Sequence, residues 1–141
     1  MKNFKHIAIA VAALALAIGG VSAASAHSAA MVTIRHETHG CHAWSYNNGT
    51  YKAALSVYLA RGATLRVQNN DVMPHKLVRT SGPTVKLVRP AMNHTGASAQ
   101  VHFTKAGTYK FTTKAGEDYS WASHMKTTGE DNVLRLTVTV R

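Results

Sequence analysis

The sequence predicts an all-β protein that forms an antiparallel β-sandwich behind an N-terminal export signal. Apolar and polar residues alternate with period two in several short segments, and turn residues separate these segments at roughly 8–12-residue intervals. Such alternation turns one face of each strand towards a core and the other towards solvent. No segment after the export signal has helical periodicity, so we expect one β-sandwich domain without internal repeats.

The N-terminal residues have the pattern of a secretory signal peptide. Lys2 and Lys5 precede an apolar run at 7–18, and small residues then lead to an A-x-A sequence at 24–26. The run is shorter than the roughly 20 apolar residues of a transmembrane helix. We therefore predict a signal peptide at 1–26, a domain at 27–141 and export to the periplasm, the cell envelope or the medium. An uncleaved anchor is the alternative; after cleavage no transmembrane segment is expected.

The strands are predicted from this alternation in chain order. They cover 31–36, 54–59, 64–68, 84–88, 100–104, 109–113 and 134–140. The last is the clearest, because Leu134, Leu136, Val138 and Val140 alternate with polar residues. Residues 105–107 are predicted as a hairpin turn, and His102 is expected to face solvent.

The charge of the chain bears on its partners. Lys and Arg number 16 against 6 Asp and Glu, a formal net charge of +10. This balance suits an acidic redox or copper-handling protein, or an anionic envelope surface. We expect a monomer and no nucleic-acid partner, because the chain is exported and has no nucleic-acid-binding motif. An ordinary solvated face accounts equally for the scattered cations.

One His follows a Pro-containing turn and begins a strand. The turn is Asn69-Asn70-Asp71-Val72-Met73-Pro74-His75, and an apolar strand resumes directly after it. Imidazole is the commonest protein ligand for copper and zinc. His75 is therefore a candidate metal ligand, against the alternative of a surface loop that contains a His.

Cys41 is the only cysteine, and three His lie within five residues of it, at positions 36, 39 and 42. Exported proteins usually hold cysteines in disulfide pairs. A single Cys suggests an intermolecular bond, a buried thiol or a metal thiolate. Thiolate beside imidazole is a ligand set for copper or zinc, so Cys41 and His42 are also candidates.

Two motifs resemble the cupredoxin family of the plastocyanin and azurin kind. The first is Val67 to His75 and the second is Gly107-Thr108-Tyr109-Lys110-Phe111, and the resemblance spans roughly 31–141. It implies a Greek-key β-sandwich that binds copper at one end through His75 and transfers electrons. The family also has a Cys just after the second motif, followed closely by His and Met. Here that Cys position is Thr113, and His124 and Met125 come late.

A replacement ligand set can be assembled from three loops. In a sandwich of this topology, the loop holding Cys41 and His42 lies at the His75 end, and the loop holding Met92 and His94 can approach that end. Thiolate, imidazole and thioether together suit copper. We predict a copper site drawn from His75, Cys41, His94, Met92 and His42.

Three functions remain open at this point. The first is that of a small electron-transfer protein. The alternatives are an envelope copper carrier or buffer and a metal-free interaction module. Enzyme chemistry is the weakest reading, since there is no plausible Ser/His/Asp spacing and no Gly-rich phosphate loop. An oxidase or reductase, in which copper has a free coordination position for substrate, is still an alternative.

Overall fold

The computed structural model describes residues 29–36, 42–115 and 133–141, which form ten β-strands and no helix. The strands are β1 Ala30–His36, β2 His42–Tyr46, β3 Ala54–Leu59, β4 Thr64–Asn69, β5 His75–Ser81, β6 Leu87–Val88, β7 Ala91–Met92, β8 Ser98–His102, β9 Gly107–Lys114 and β10 Arg135–Val140. In this described part no helix is long and apolar enough to cross a membrane. The predicted signal peptide lies outside it.

The strands form two five-stranded sheets that pack face to face. One sheet has the order β2-β1-β4-β8-β6 and the other has the order β3-β10-β9-β5-β7. Buried side chains from both sheets form one apolar core. The prediction of an all-β sandwich is confirmed.

The sheets are mixed and not wholly antiparallel as predicted. β1 pairs with β4 in parallel, and β3 pairs with β10 in parallel. Between β2 and β4 the chain crosses to the other sheet in β3, and it returns running in the same direction as β1. Alternation within a strand shows which face of that strand is buried, but it does not show the direction of the neighbouring strand. The sequence pattern therefore could not distinguish parallel from antiparallel pairing.

Two local predictions are also corrected. The predicted strand at 84–88 is paired only at Leu87 and Val88, beyond a segment that begins with Gly82 and Pro83. Residues 105–107 do not close a hairpin, because β8 and β9 belong to different sheets. The segment is an arch between the sheets, and the Tyr109 hydroxyl donates to the Lys105 carbonyl at 2.7 Å within it.

Aromatic side chains fill the centre of the sandwich. Phe103 makes edge contacts with Tyr109 and Phe111, with ring centroids 4.9 and 6.3 Å apart. Trp44 is fully buried in the same core, as expected of a sandwich-core residue. His102 is exposed, as predicted, and its Nδ1 lies 3.1 Å from the Thr64 hydroxyl.

The candidate site lies where the chain crosses from one sheet to the other. β4 ends at Asn69 in the first sheet, and β5 begins at His75 in the second. The crossing turn, residues 70–74, therefore lies at one end of the sandwich. β1 ends and β2 begins at this same end, because His36 and His42 are both close to Asp71.

Candidate metal centre

His75 is buried at the first position of β5. Pro74 follows the bend at residues 71–73 and has no backbone N–H for ladder pairing, so the strand starts at the next residue, His75. The imidazole has no solvent exposure. Its Nε2 lies 3.1 Å from Oδ2 of Asp71, and its Nδ1 lies 3.3 Å from Oγ1 of Thr113. Both ring nitrogens therefore face defined polar atoms.

His42 meets His75 across the sheet interface. His42 starts β2 in one sheet and His75 starts β5 in the other. The ring centroids are 4.7 Å apart and the rings are perpendicular. Both imidazoles are buried. The structure thus brings together two of the predicted ligands at the predicted end of the sandwich.

A buried carboxylate joins the two imidazoles. Oδ2 of Asp71 accepts a hydrogen bond from Nδ1 of His42 at 2.7 Å and one from Nε2 of His75 at 3.1 Å. Its other oxygen accepts from the Met73 N–H at 3.0 Å. Asp71 lies in the turn between the sheets, so it connects one imidazole from each.

Asn69 holds this turn in shape. Its side-chain carbonyl accepts from the Asp71 N–H at 2.9 Å, and its amide donates to the carbonyls of Met73 and Met92 at 2.8 and 3.0 Å. Thr95 donates its hydroxyl to the Asp71 carbonyl at 2.9 Å. These bonds satisfy buried backbone groups and fix the carboxylate position.

The carboxylate is ionised in the folded protein. Burial by itself raises the pKa of Asp71, but the hydrogen bonds from His42, His75 and the Met73 N–H favour the charged form more strongly. The net result is an Asp71 pKa well below the usual range. An ionised carboxylate only accepts hydrogen bonds, so the two imidazole nitrogens facing it must carry the protons.

His36 adds a third imidazole at the solvent edge of the site. It is the cross-strand partner of His42, and its Nδ1 lies 3.9 Å from Oδ1 of Asp71. The side chain is 46% exposed. His36, His42 and Asp71 can bring one ligand atom each to within 4.8 Å of one another. This exposure places His36 at the surface, at the end of β1.

Two further side chains border His75. Met92 is fully buried in β7 and is the direct cross-strand partner of His75, so both side chains project from the same face of the sheet. Thr113, half-buried in β9, supplies the hydroxyl beside Nδ1. Met92 is thus the sheet neighbour of His75, and the Thr113 hydroxyl lies next to the imidazole.

The remaining two predicted ligands have different outcomes. His94 is exposed, and its Nδ1–H donates to the Thr95 carbonyl at 3.0 Å. Its turn does lie against the Asp71 turn, since the Gly96 N–H donates to the Asn69 carbonyl at 2.6 Å. Cys41 precedes His42 in the chain but lies outside the described residues. Both stay predictions as ligands.

Sequence reasoning overlooked Asp71 as a site residue. The Asp was visible in the turn before His75, in a chain with only six acidic residues. A carboxylate four residues before a predicted ligand His was the available signal, because a ligating His usually donates its second N–H to such a group.

The donor set fits copper. Two buried imidazoles and a buried thioether are groups that copper prefers, and a carboxylate already accepts an N–H from each imidazole. Carboxylate-bound imidazole is the usual outer arrangement of a protein metal site. With its Nε2 on Asp71, His75 could offer Nδ1 to copper beside Thr113, with Met92 as its cross-strand neighbour, whereas Nε2 of His42 points away from the shared carboxylate.

Comparisons with known proteins give structural similarity only. No protein-family model and no curated protein matches this chain. A purple cupredoxin from Nitrosopumilus maritimus is 21% identical, with 78% of this chain and 99% of that chain covered and a TM-score of 0.43. A reduced mutant of amicyanin is 20% identical, with 84% and 88% covered and a TM-score of 0.43.

A protein of another kind gives a similar match. A cysteine protease inhibitor from Entamoeba histolytica is 12% identical, with 79% of this chain and 95% of that chain covered and a TM-score of 0.40. With TM-scores below 0.5 and such low identities, these similarities assign no function to this chain.

Proposed function

We propose that this chain is an exported copper-binding protein of the cupredoxin type that transfers electrons. The observation that carries the proposal is the pair of buried imidazoles at one end of the sandwich. His42 and His75 come from different sheets, lie 4.7 Å apart and share one buried carboxylate. Export is supported by the N-terminal basic and apolar pattern.

The metal would be held by Nδ1 of His75 with the Met92 thioether, and His42, Cys41 and His94 remain candidates to complete the set. Copper supplies a one-electron redox couple when bound. The chain's own residues hold the imidazoles in a fixed perpendicular arrangement, exclude water from His75 and limit the movement of the donor atoms. Limited movement favours electron transfer, since a rigid, preorganised site costs little reorganisation when the charge changes.

The basic composition supports an acidic redox partner. The full sequence has a formal net charge of +10, and loss of Lys2 and Lys5 with the signal peptide leaves 14 Lys and Arg against 6 Asp and Glu, a charge of +8. This charge would attract an acidic surface at long range and raise the association rate. Attraction of this kind weakens with added salt, because ions screen exposed charges.

A copper titration of the purified protein followed by visible absorption tests the proposal. We expect one copper ion per chain, and a charge-transfer band that disappears in Cys41→Ser if that thiolate is a ligand. His75→Ala should lower the copper affinity by more than the roughly 10–100-fold that follows loss of an outer partner. Unchanged affinity in His75→Ala would overturn the proposed site.

His102→Ala is the matched control for this titration. His102 is exposed in β8 beside Thr64, the first residue of β4, whereas the site lies beyond Asn69, the last residue of that strand. The two ends of β4 are roughly 17 Å apart at about 3.3 Å per residue. Removal of this imidazole should leave site-specific copper binding unchanged.

A copper carrier or buffer is the second candidate function. Thr113 places a hydroxyl, and not a thiolate, beside Nδ1 of His75, and a thioether is the cross-strand neighbour. A thioether is a soft ligand that selects Cu(I), and imidazole also binds copper, so a set without thiolate suits a Cu(I) carrier. Tight copper binding without a charge-transfer band, together with Cu(I) retention against a chelator, would select this function. Absence of any copper binding would leave the metal-free interaction module.

A further inference from the structure

Asp71 is placed to control both imidazoles of the proposed site. Its Oδ2 accepts N–H groups from His42 and His75, while its Oδ1 accepts the Met73 N–H. Its side chain has no solvent exposure, so these three protein donors take the place of water around the carboxylate.

The carboxylate is itself held rigidly. Asn69 accepts the Asp71 N–H, and the same Asn binds the carbonyls of Met73 and Met92. The Asn70 N–H donates to the Ile34 carbonyl at 2.8 Å, which ties the turn to β1. Rotation of either imidazole away from Asp71 would therefore remove one of the three donors that stabilise this buried charge, which is unfavourable.

We propose that Asp71 is the positioning residue of this site, which keeps the proton of His75 on Nε2 and so presents Nδ1 to the metal. The inference rests on the proposed copper-binding function. It assigns the metal to the side of the His75 ring that faces Thr113, because Nδ1 is the nitrogen 3.3 Å from that hydroxyl. His42 is fixed in the same way, with its proton on Nδ1.

Direct ligation by Asp71 is the competing arrangement. His36, His42 and Asp71 can bring ligand atoms within 4.8 Å of one another, so they could hold an ion by themselves. The two arrangements differ in their dependence on His36. A positioning Asp71 needs no His36, whereas a His36–His42–Asp71 ion would lose a ligand in His36→Ala.

The first test reads the imidazole protons in the metal-free protein. Nitrogen-15 NMR of the purified wild-type protein at about pH 8, where a free imidazole is neutral, should show His75 protonated at Nε2 and bare at Nδ1. In Asp71→Asn we expect both tautomers of His75 to appear. A wild-type His75 protonated at Nδ1 and bare at Nε2 would overturn the inference, whether or not the protein binds copper.

The second test is copper titration of the same proteins, with copper alone as the probe. Asp71→Asn is isosteric and should lower copper affinity by roughly 10–100-fold, the usual effect of removing an outer partner of a ligating His. Asn70→Ala is the matched control, because Asn70 is an exposed neighbour whose side chain bonds only Gln68 among the described contacts. It should leave affinity unchanged.

The outcomes separate the inference from the proposed function. Wild-type binding that is unchanged in Asp71→Asn overturns the inference and leaves the function intact. Loss of binding in His36→Ala as large as that in Asp71→Asn would also overturn it, in favour of direct ligation. No copper binding by the wild type defeats the proposed function, while the NMR result still decides whether Asp71 fixes the His75 tautomer.

Discussion

Thr113 occupies the position on β9 at which a thiolate would complete a copper site with His75. Its Oγ1 lies 3.3 Å from Nδ1 of His75. A nitrogen and a sulfur bound to one tetrahedral ion, with bonds of roughly 2.0–2.3 Å, lie about 3.5 Å apart. A Cys sulfur at this position is therefore within ligand distance without main-chain movement. We expect Thr113→Cys to create a copper–thiolate bond.

The effect of Thr113→Cys on stability differs between the metal-free and the copper-loaded protein. In the metal-free protein the substitution removes the hydrogen bond from Thr113 to His75, worth about 1 kcal/mol. This corresponds to a fall in Tm of roughly 4 °C for a domain of this size. In the copper-loaded protein the new thiolate should more than offset this loss and raise Tm above that of the loaded parent.

The assay is visible absorption in a Cys41→Ser background, where position 113 carries the only thiol in the chain. Copper should give an intense charge-transfer band with Thr113→Cys and none with the matched control Thr113→Ser. If the loaded Cys variant shows no band while His75→Ala still abolishes copper binding, the ion lies on the other side of the His75 ring. That result would refute the reasoning from Thr113.

Three further predictions concern stability. The pKa of Asp71 is lower in the folded protein than the value of about 3.9 in an unfolded chain, so its contribution to stability is full above about pH 4 and is lost as the pH falls. Urea unfolding should therefore show the difference between wild type and Asp71→Asn shrinking from about pH 4 to pH 2; a constant difference would contradict this. Gly82→Ala should lower the free energy of unfolding by roughly 1–3 kcal/mol, because φ is +100° and a Cβ would lie 2.4 Å from the Thr108 carbonyl oxygen. Gly96→Ala is its control and should cost less, since φ is +87° but a Cβ would meet nothing within 4 Å. Phe103→Ala should cost roughly 3–5 kcal/mol in thermal unfolding, because this fully buried ring packs against other aromatics; a loss below 1 kcal/mol would mean that the site collapses around the deletion.

The sequence carried most of the information on strand positions but little on strand partners. Leu136, Val138 and Val140 alternate with exposed or half-buried residues, and all three are buried in β10 as expected. The parallel pairing of β10 with β3 joins segments far apart in the chain. Its register depends on core packing between sheets, which no local pattern records.

The meeting of His75 and His42 was predictable from the sequence, but the carboxylate that joins them was not. His75 and His42 were identified from residue type, turn chemistry and topology, and the structure places their rings in contact. Asp71 was overlooked because a carboxylate in a polar turn is ordinarily solvated. Only the fold shows that this turn crosses between sheets, so that Asp71 is enclosed by donors from both.

The position of Asp71 links the stability of the fold to the geometry of the site. Its carboxylate is bonded to β2 in one sheet and to β5 in the other, through His42 and His75. The turn that carries it is bonded in addition to β1 through Ile34 and to β7 through Met92. Separation of the sheets at this end would therefore break the bonds that orient the imidazoles. It follows that the imidazoles should be preorganised before metal binds, and that substitutions which loosen this turn should weaken metal binding even where no ligand is removed.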